Sequence, residues 1–311
     1  MEKMRTRILT QMTNYEVEEY LKRRDVIIVP VGVAEMHGAY PLDCEYVLAE
    51  AFARIIAEQV DGLVLPNLTY FHPGATQNGR GTVHMSMTNG FQYVTAIAES
   101  LLQQGFRRQV YIPGHQPTSQ FLLPMITEFF DNNKVPLFYL DMIAYLMNNG
   151  KMPPMSFSDR KPQIVSTPEQ RGDHAMIIGA YKICGRLNDF PTGAEVNDPT
   201  VMAGRKEPDE EQMALFRLLG ARPTLLSCSP AFYYTYASDH GSAPLPNTRE
   251  EIEHEGEVGE AYLRGMLEDS DFASLMEDLK IVDRYMNAKV MEKHGDHLPR
   301  NKWAPNVPKE V

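Results

Sequence analysis

The sequence predicts an α/β fold built on a mostly parallel sheet that is covered by helices. Short apolar runs rich in β-branched residues alternate with longer segments in which apolar residues recur at helical spacing. Four such alternations of strand and helix predict a parallel, helix-covered sheet. The composition, with 43% hydrophobic and 23% charged residues in a chain of 311, is that of a globular protein with a sizeable core.

The first half of the chain supplies the sheet and the helices beside it. A β-branched run over 26–32 (VIIVPVG), bounded by charged residues and a glycine, is typical of a strand buried on both faces. The segment 45–59, rich in Ala, Leu and Glu, has its apolar residues at helical spacing. The same patterns predict further strands over 62–70, 108–114 and 135–142, and further helices over 87–105 and 119–133.

The second half of the chain contains no second strand and helix alternation of this kind. A Pro- and Ser-rich loop is predicted over 150–170, and helices over 173–184 and 249–270. We therefore predict one domain over 1–311, with an insertion at about 185–235 and a C-terminal arm from about 285.

The charge and the cysteine content indicate which binding partners and which cellular compartment to expect. The chain has 30 Lys and Arg against 41 Asp and Glu, a net charge of −11, and no basic run, which argues against a nucleic-acid partner. Its three cysteines form no CxxC pair, as expected for a reducing compartment without disulfides. No segment has the apolar length of a membrane span. These features predict a cytoplasmic protein with neither nucleic acid nor membrane as a partner.

Two predicted strands end in residues that can bind a metal. The first strand is followed by Glu35 and His37, and the third by Gly114 and His115. In open parallel sheets ligands bind at the carboxyl ends of the strands, which lie on a common rim. Carboxylate and imidazole together suit a divalent metal such as Zn or Mn. For Glu35 and His37 alone a helix cap and a local hydrogen bond are the simpler interpretation, but a second histidine on the same rim favours a metal site.

Several segments, in this order, resemble the signature of the creatininase (creatinine amidohydrolase) family. The first, PVGVAEMHG over 30–38, matches the family's Pro-x-Gly-x-x-Glu-x-His-Gly closely. The resemblance extends over about 26–265 and is interrupted by 185–235. The other matching segments lie at 73–83, 113–115 (PGH), 172–175 (GDHA) and 239–257.

This resemblance implies a layered α/β/α hydrolase, usually hexameric, in which one or two divalent ions activate water against a C–N bond. Glu35, His37 and His115 match family metal ligands. The bridging Asp of the family falls on Glu45 if the loop is one residue shorter here, with Asp43 as the rival assignment.

Two family positions have lost their ligand type in this chain. Tyr40 replaces the second histidine of the first loop, and Gly179 falls where the family has a glutamate. We therefore expect one well-occupied metal, held by Glu35, Glu45 and His115. His37 would join it or hold a weaker second ion.

The remaining candidates concern proton transfer and substrate binding. His174, preceded by Asp173, is the candidate proton shuttle or partner of the substrate carbonyl, because an imidazole titrates near neutral pH. Its alternative interpretation is a helix-terminal histidine bonded to the backbone. Tyr40, His72 and His240 are the candidate substrate-binding residues.

The sequence supports one leading function and two alternatives. The leading hypothesis is metal-dependent hydrolysis of a small polar cyclic or amide substrate. The first alternative is ring opening at a C–C bond of a cyclic polyol ketone such as 3-dehydro-scyllo-inosose. The family resemblance implies this alternative as well, because some members of the family look like ring-opening hydrolases of this kind. The second is a degenerate member that binds a metabolite without turnover, which the loss of the carboxylate at Gly179 motivates.

Overall fold

A computed structural model describes residues 4–77, 79–151, 172–196, 210 and 245–298. Four parallel strands form one sheet in the order β2-β1-β3-β4. The long central strands β1 and β3 pair in register from Val26 opposite Arg108 to Val31 opposite Pro113. The strands are β1 (Val26–Val31), β2 (Leu63–Val64), β3 (Arg108–Pro113) and β4 (Phe138–Tyr139).

Nine α-helices occur in the described residues, and the longer ones lie on the two faces of the sheet. They are α1 (Asn14–Leu21), α2 (Cys44–Val60), α3 (Met87–Gln104), α4 (Ser119–Asn133), α5 (Met142–Asn148), α6 (Gly172–Ile183), α7 (Arg249–Leu267), α8 (Phe272–Tyr285) and α9 (Met291–His294).

Strand β1 explains why the molecule has three layers. Its alternate side chains point to opposite faces of the sheet. Val26 and Ile28 belong to a core with α2, α6, α7 and α8, whereas Ile27 and Val29 belong to a second core with α1, α3 and α4. Both sets are fully buried. The predicted α/β fold with a mostly parallel sheet between helices is therefore confirmed.

The outer strands are shorter than the patterns predict, for local reasons. In the segment predicted as a strand over 62–70, Pro66 lacks an N–H, and Asn67 has a positive φ of 73°, so regular pairing stops at Val64. Leu68 alone returns to bridge Val31. In the segment 135–142, the Asp141 side chain accepts from Ala144 N and begins helix α5, which the sequence did not predict.

The chain end is more helical than the sequence predicts. Helix α8 begins where the Asp271 side chain accepts from Ser274 N. The chain then continues through a π-helical turn over Met286–Val290 into α9, so the arm predicted from about 285 begins as helix. Most of the predicted insertion at 185–235 and the final residues lie outside the described residues. No helix in the described part is long and apolar enough to cross a membrane.

Candidate metal centre

The candidate metal ligands lie where β1 and β3 end at the same rim of the sheet. Glu35 and His37 are in the loop after β1, and His115 is the second residue after β3. The loop returns to α2, whose first turn carries Glu45. Backbone hydrogen bonds hold this loop, from Glu35 N to the Leu42 carbonyl and from Tyr40 N to the His37 carbonyl.

Gly114 brings His115 close to helix α2. A Cβ atom at this position would lie 2.4 Å from the Glu45 carbonyl oxygen and 2.9 Å from the Ala49 Cβ atom. Only a residue without a side chain therefore allows the end of β3 to pack on the first turns of α2. This close approach places the His115 imidazole beside the Glu45 carboxylate.

The four side chains form one cluster of oxygen and nitrogen donors. His115 Nδ1 lies 2.5 Å from Glu45 Oε2 and 3.3 Å from Glu35 Oε1. His37 Nε2 lies 3.7 Å from Glu45 Oε1, and His37 Nδ1 lies 4.0 Å from Glu35 Oε1. One donor atom each from Glu35, His37 and Glu45 lies within 4.8 Å of the other two. Two carboxylates and two imidazoles at these separations are a donor set that fits zinc or manganese.

Thr76 completes the surroundings of Glu35, and sequence reasoning did not single it out. Its buried hydroxyl donates a hydrogen bond to Glu35 Oε2. Thr76 lies in the glycine-rich loop from Gly74 to Gly81, and the sequence indicated only that the segment 73–83 resembles the family signature. A hydroxyl residue within that loop was the available signal, since metal-bound carboxylates are commonly held by a hydrogen bond from a neighbour.

Burial and mutual repulsion make the metal-free cluster retain protons. Burial raises the pKa of Glu35 well above its usual range, the His115 charge opposes this shift, and the Glu45 carboxylate adds to it. Burial lowers the pKa of His115, but the carboxylates of Glu45 and Glu35 outweigh it and raise that pKa to about 9. Burial lowers the pKa of His37, which favours the neutral imidazole that a metal requires.

These shifts predict that the metal-free protein loses stability as the pH rises from about 6.5 to about 9. The folded state binds protons at Glu35 and His115 more tightly than the unfolded state, because both pKa values are raised. The stability contributed by His115 is complete below its ordinary pKa of 6.5 and is lost as the pH passes about 9. Glu35 acts with the same sign, since its buried carboxylate is increasingly forced to ionise.

Urea unfolding in the presence of a chelator, followed across this pH range, measures the effect. Glu35→Gln serves as the matched control, because it removes one of the two groups and should flatten the dependence. Adding Mn²⁺ or Zn²⁺ should reverse the loss at high pH, since the ion replaces the protons. A wild-type free energy of unfolding that rises between these pH values would contradict the prediction.

Asp43, the rival of Glu45, is bonded elsewhere. Its carboxylate accepts from Tyr181 Oη at 2.6 Å and from Arg186 Nη1 at 2.7 Å. Asp43 therefore joins the start of α2 to α6 and to the residues after it. Glu45 therefore lies in the donor cluster, whereas the Asp43 carboxylate links the start of α2 to α6.

Gly179 cannot be replaced by the family's glutamate because α6 and α7 are in backbone contact there. A Cβ atom at Gly179 would lie 2.3 Å from the carbonyl carbon of Gly259. At Gly259 a Cβ atom would overlap the Ala175 carbonyl oxygen, at 1.6 Å. The two helices therefore cross so closely that neither glycine can be replaced by a residue with a side chain.

We expect Gly179→Ala to lower the free energy of unfolding by about 2–3 kcal/mol or more, because overpacking of rigid backbone forces the helices apart. Urea unfolding measures this change. Gly265→Ala, in the same helix pair, is the matched control: nothing lies within 4 Å of its added Cβ. The control should be stabilised by about 0.5–1 kcal/mol, as expected for Gly to Ala within a helix. If Gly179→Ala is as stable as the wild type, the close backbone contact between α6 and α7 at this position is contradicted.

The proton-shuttle candidate, His174, is linked to the centre through Tyr40. His174 is the third residue of α6 and is buried. Its Nδ1 atom lies 2.5 Å from Tyr40 Oη, and the two rings meet edge to face with centroids 5.4 Å apart. The Tyr40 ring in turn lies 6.1 Å from the ring of His37. Two residues far apart in sequence, Tyr40 and His174, are thus brought to the same place.

Of the other sequence candidates, His72 is described by the structure, and two others lie partly or wholly outside the described residues. His72 is half-buried, and its ring lies 5.5 Å from the ring of His84 in an edge-to-face contact. Burial, followed by the His84 and His115 charges, lowers the pKa of His72. The side chain of Asp173 and the whole of His240 lie outside the described residues.

Known proteins resemble this chain in sequence and in fold. A family model described as creatinine amidohydrolase matches residues 10–178. A 3-dehydro-scyllo-inosose hydrolase of Thermotoga maritima is 28% identical over 137 residues, 43% of each chain. A creatinine amidohydrolase of Pseudomonas putida is 30% identical over 105 residues, 32% of this chain and 40% of the relative. The matched segments thus span about two fifths of these curated relatives.

Solved structures share the architecture at lower sequence identity. One described as creatininase Mn superposes with a TM-score of 0.52 at 19% identity, covering 85% of this chain and 98% of the solved chain. This agreement concerns the fold alone. The family model covers more than half of the 311 residues and includes Glu35, His37, Glu45, His115 and His174. The chain therefore belongs to the creatininase family, whose two named relatives here are hydrolases.

Proposed function

We propose that this protein is a metal-dependent hydrolase of a small polar cyclic or amide substrate. The observation that carries the proposal is the donor cluster of Glu35, His37, Glu45 and His115 at the carboxyl ends of the central strands. The buried Glu35 carboxylate and the half-buried Glu45 carboxylate repel one another, so the cluster favours a divalent ion. Two solved creatininases with the same fold, one described as a Mn form and one as a Zn-Zn type, support Mn and Zn as candidates.

One well-occupied ion is proposed, with any second ion bound more weakly. A catalytic zinc site typically has three protein ligands and an open position for water. We assign Glu35, Glu45 and His115 as its three ligands. His37, whose donor atom lies within 4.8 Å of donor atoms of Glu35 and Glu45, is assigned to join them or to hold the weaker ion. The close crossing at Gly179 leaves no room for a carboxylate at that position.

The chain's own residues orient the substrate and move the proton. A divalent ion held by Glu35, Glu45 and His115 would lower the pKa of a bound water toward about 7, so that hydroxide would be available at neutral pH. In hydrolysis the water oxygen bonds to the substrate carbonyl carbon, the C–N bond breaks, and the leaving nitrogen takes a proton. We assign that proton to His174, which regains one from the attacking water. His72, beside the glycine-rich loop, is assigned to the substrate.

Cleavage of a C–C bond is the second candidate, because the matched inosose hydrolase aligns over a longer segment than the creatinine enzyme. In that reaction water adds to a ring ketone, and the leaving carbon takes the proton. Incubation with cyclic amides and with cyclic polyol ketones, followed by mass spectrometry, distinguishes the two. Gain of one water by an inosose, and by none of the amides, would reject C–N hydrolysis.

Metal content tests the proposal itself. Protein purified without chelator should carry about one equivalent of transition metal by plasma mass spectrometry, and Glu35→Ala should carry far less. A wild-type protein that contains well under one equivalent and cannot be loaded with Zn²⁺ or Mn²⁺ would refute the metal-dependent hydrolase. That result would favour a family member that binds a metabolite without turnover.

We also propose that the protein forms a homo-oligomer, and the family resemblance implies that this oligomer is a hexamer. Light scattering coupled to size-exclusion chromatography measures the mass directly. A mass of one chain, about 35 kDa, would contradict it.

A further inference from the structure

Tyr40 and His174 form a buried pair beside the candidate metal centre. The Tyr40 Oη and His174 Nδ1 atoms are 2.5 Å apart, and both side chains are buried. We propose that Tyr40 is a positioning residue that holds His174 as the neutral tautomer with its proton on Nε2. The inference rests on the proposed function in one respect, namely the use of His174 in the reaction.

The chemistry of the two groups decides which of them donates. A phenol has a pKa of about 10 and keeps its proton at neutral pH, whereas an imidazole loses its second proton near pH 6.5. The lone pair of an imidazole nitrogen is also a better acceptor than a phenol oxygen, whose electrons are partly delocalised into the ring. The Tyr40 hydroxyl therefore donates to His174 Nδ1. A neutral imidazole carries one N–H, so Nε2 must then bear it.

The position of His174 in its helix favours the neutral ring. His174 is the third residue of the 12-residue helix α6, in the first turn, where the helix dipole is positive. A positive imidazolium is disfavoured there, and burial adds to this cost because the residue is only 3% exposed. The buried position in the first turn of α6 and the hydrogen bond from the Tyr40 hydroxyl therefore both stabilise the neutral ring.

A fixed Nε2–H makes His174 a hydrogen-bond donor. Such a group is suited to bind the carbonyl oxygen that becomes negative during attack by water. The Nε2 proton can pass to the leaving atom only as Nδ1 takes the Tyr40 hydroxyl proton, so that the ring stays neutral, and Tyr40 then regains a proton that comes from the attacking water. The protonated Nε2 is not suited to take the first proton from water as a base. The sequence assigned Tyr40 to the substrate directly. We assign its hydroxyl instead to His174.

Nitrogen-15 NMR of histidine-labelled, metal-free protein tests the tautomer without any assay of activity. The His174 signals are identified by their loss in His174→Gln. In the wild type, Nε2 should be protonated, and Nδ1 should have the chemical shift of a hydrogen-bonded acceptor. In Tyr40→Phe the Nδ1 chemical shift should move toward the value of a nitrogen that accepts no hydrogen bond. Alternatively, the ring proton should move from Nε2 to Nδ1.

Tyr181→Phe is the matched control, because Tyr181 lies on the same helix and its hydroxyl donates to Asp43 instead. It should leave the His174 signals unchanged. A protonated Nδ1 in the wild type, or identical His174 signals in Tyr40→Phe, would overturn the proposal. Amide spectra of both variants establish that the fold is retained.

Turnover gives a second and separate measurement. In metal-loaded Tyr40→Phe, kcat should fall about 10–100-fold, the range seen when an orienting partner is removed, with KM and metal content retained. An unchanged kcat would overturn the positioning role. A wild type that binds no metal but has the expected NMR signals would refute the proposed function and leave the tautomer assignment standing.

Discussion

Glu45→Gln is expected to weaken binding of the divalent ion by more than about 100-fold and to abolish turnover. Glu45 lies closer to both histidines than Glu35 does, at 2.5 Å from His115 Nδ1 and 3.7 Å from His37 Nε2, against 3.3 and 4.0 Å for Glu35. Its removal takes away a negative charge and an oxygen ligand together, whereas loss of a supporting partner alone costs about 10–100-fold. Calorimetric titration with Mn²⁺ or Zn²⁺ measures the affinity.

Asp43→Asn is the matched control, because Asp43 lies two residues before Glu45 and immediately before α2. It keeps the donor cluster intact but weakens the hydrogen bonds to Tyr181 and Arg186. We therefore expect nearly normal metal affinity with a lower free energy of unfolding. The reverse result, with metal binding lost in Asp43→Asn and kept in Glu45→Gln, would make Asp43 the bridging carboxylate.

The same two residues show how far the sequence could predict the site. The two carboxylates lie two residues apart at the start of α2, and the family spacing alone does not distinguish between them. The choice depends on where α2 begins, because that start turns Glu45 toward His115 and Asp43 toward α6. Helix starts are set by local hydrogen bonds that patterns resolve only to within one or two residues.

Features determined by a single element were predicted well. The run in β1 predicted a strand buried on both faces, and its residues do divide between two cores. The arrival of His115 at the rim followed from the rule that parallel strands share their carboxyl ends. The contact between Tyr40 and His174 had no such signal, because the packing of α6 on α2 creates it across 134 residues of sequence.

His174→Gln is expected to lower kcat about 10²–10⁴-fold while leaving metal affinity unchanged. The expected size is that of removing a positioned general acid from a hydrolytic reaction. His174 contacts Tyr40, and among the described contacts it is not in range of Glu35, Glu45 or His115, so the donor cluster should survive its loss. Glutamine keeps a hydrogen-bond donor of similar length but cannot take a proton at one atom while giving one up at another, as an imidazole can.

The comparison with Glu45→Gln separates the two roles. Both variants lose turnover, but only Glu45→Gln should lose the ion, so the pair distinguishes proton transfer from metal binding. Steady-state kinetics on the substrate found by mass spectrometry, with metal content measured on the same samples, provides both quantities. If His174→Gln retains kcat, the proton reaches the leaving atom by another route. In that case the buried pair that Tyr40 forms with His174 stabilises α6 against the rim, and does not act in the reaction.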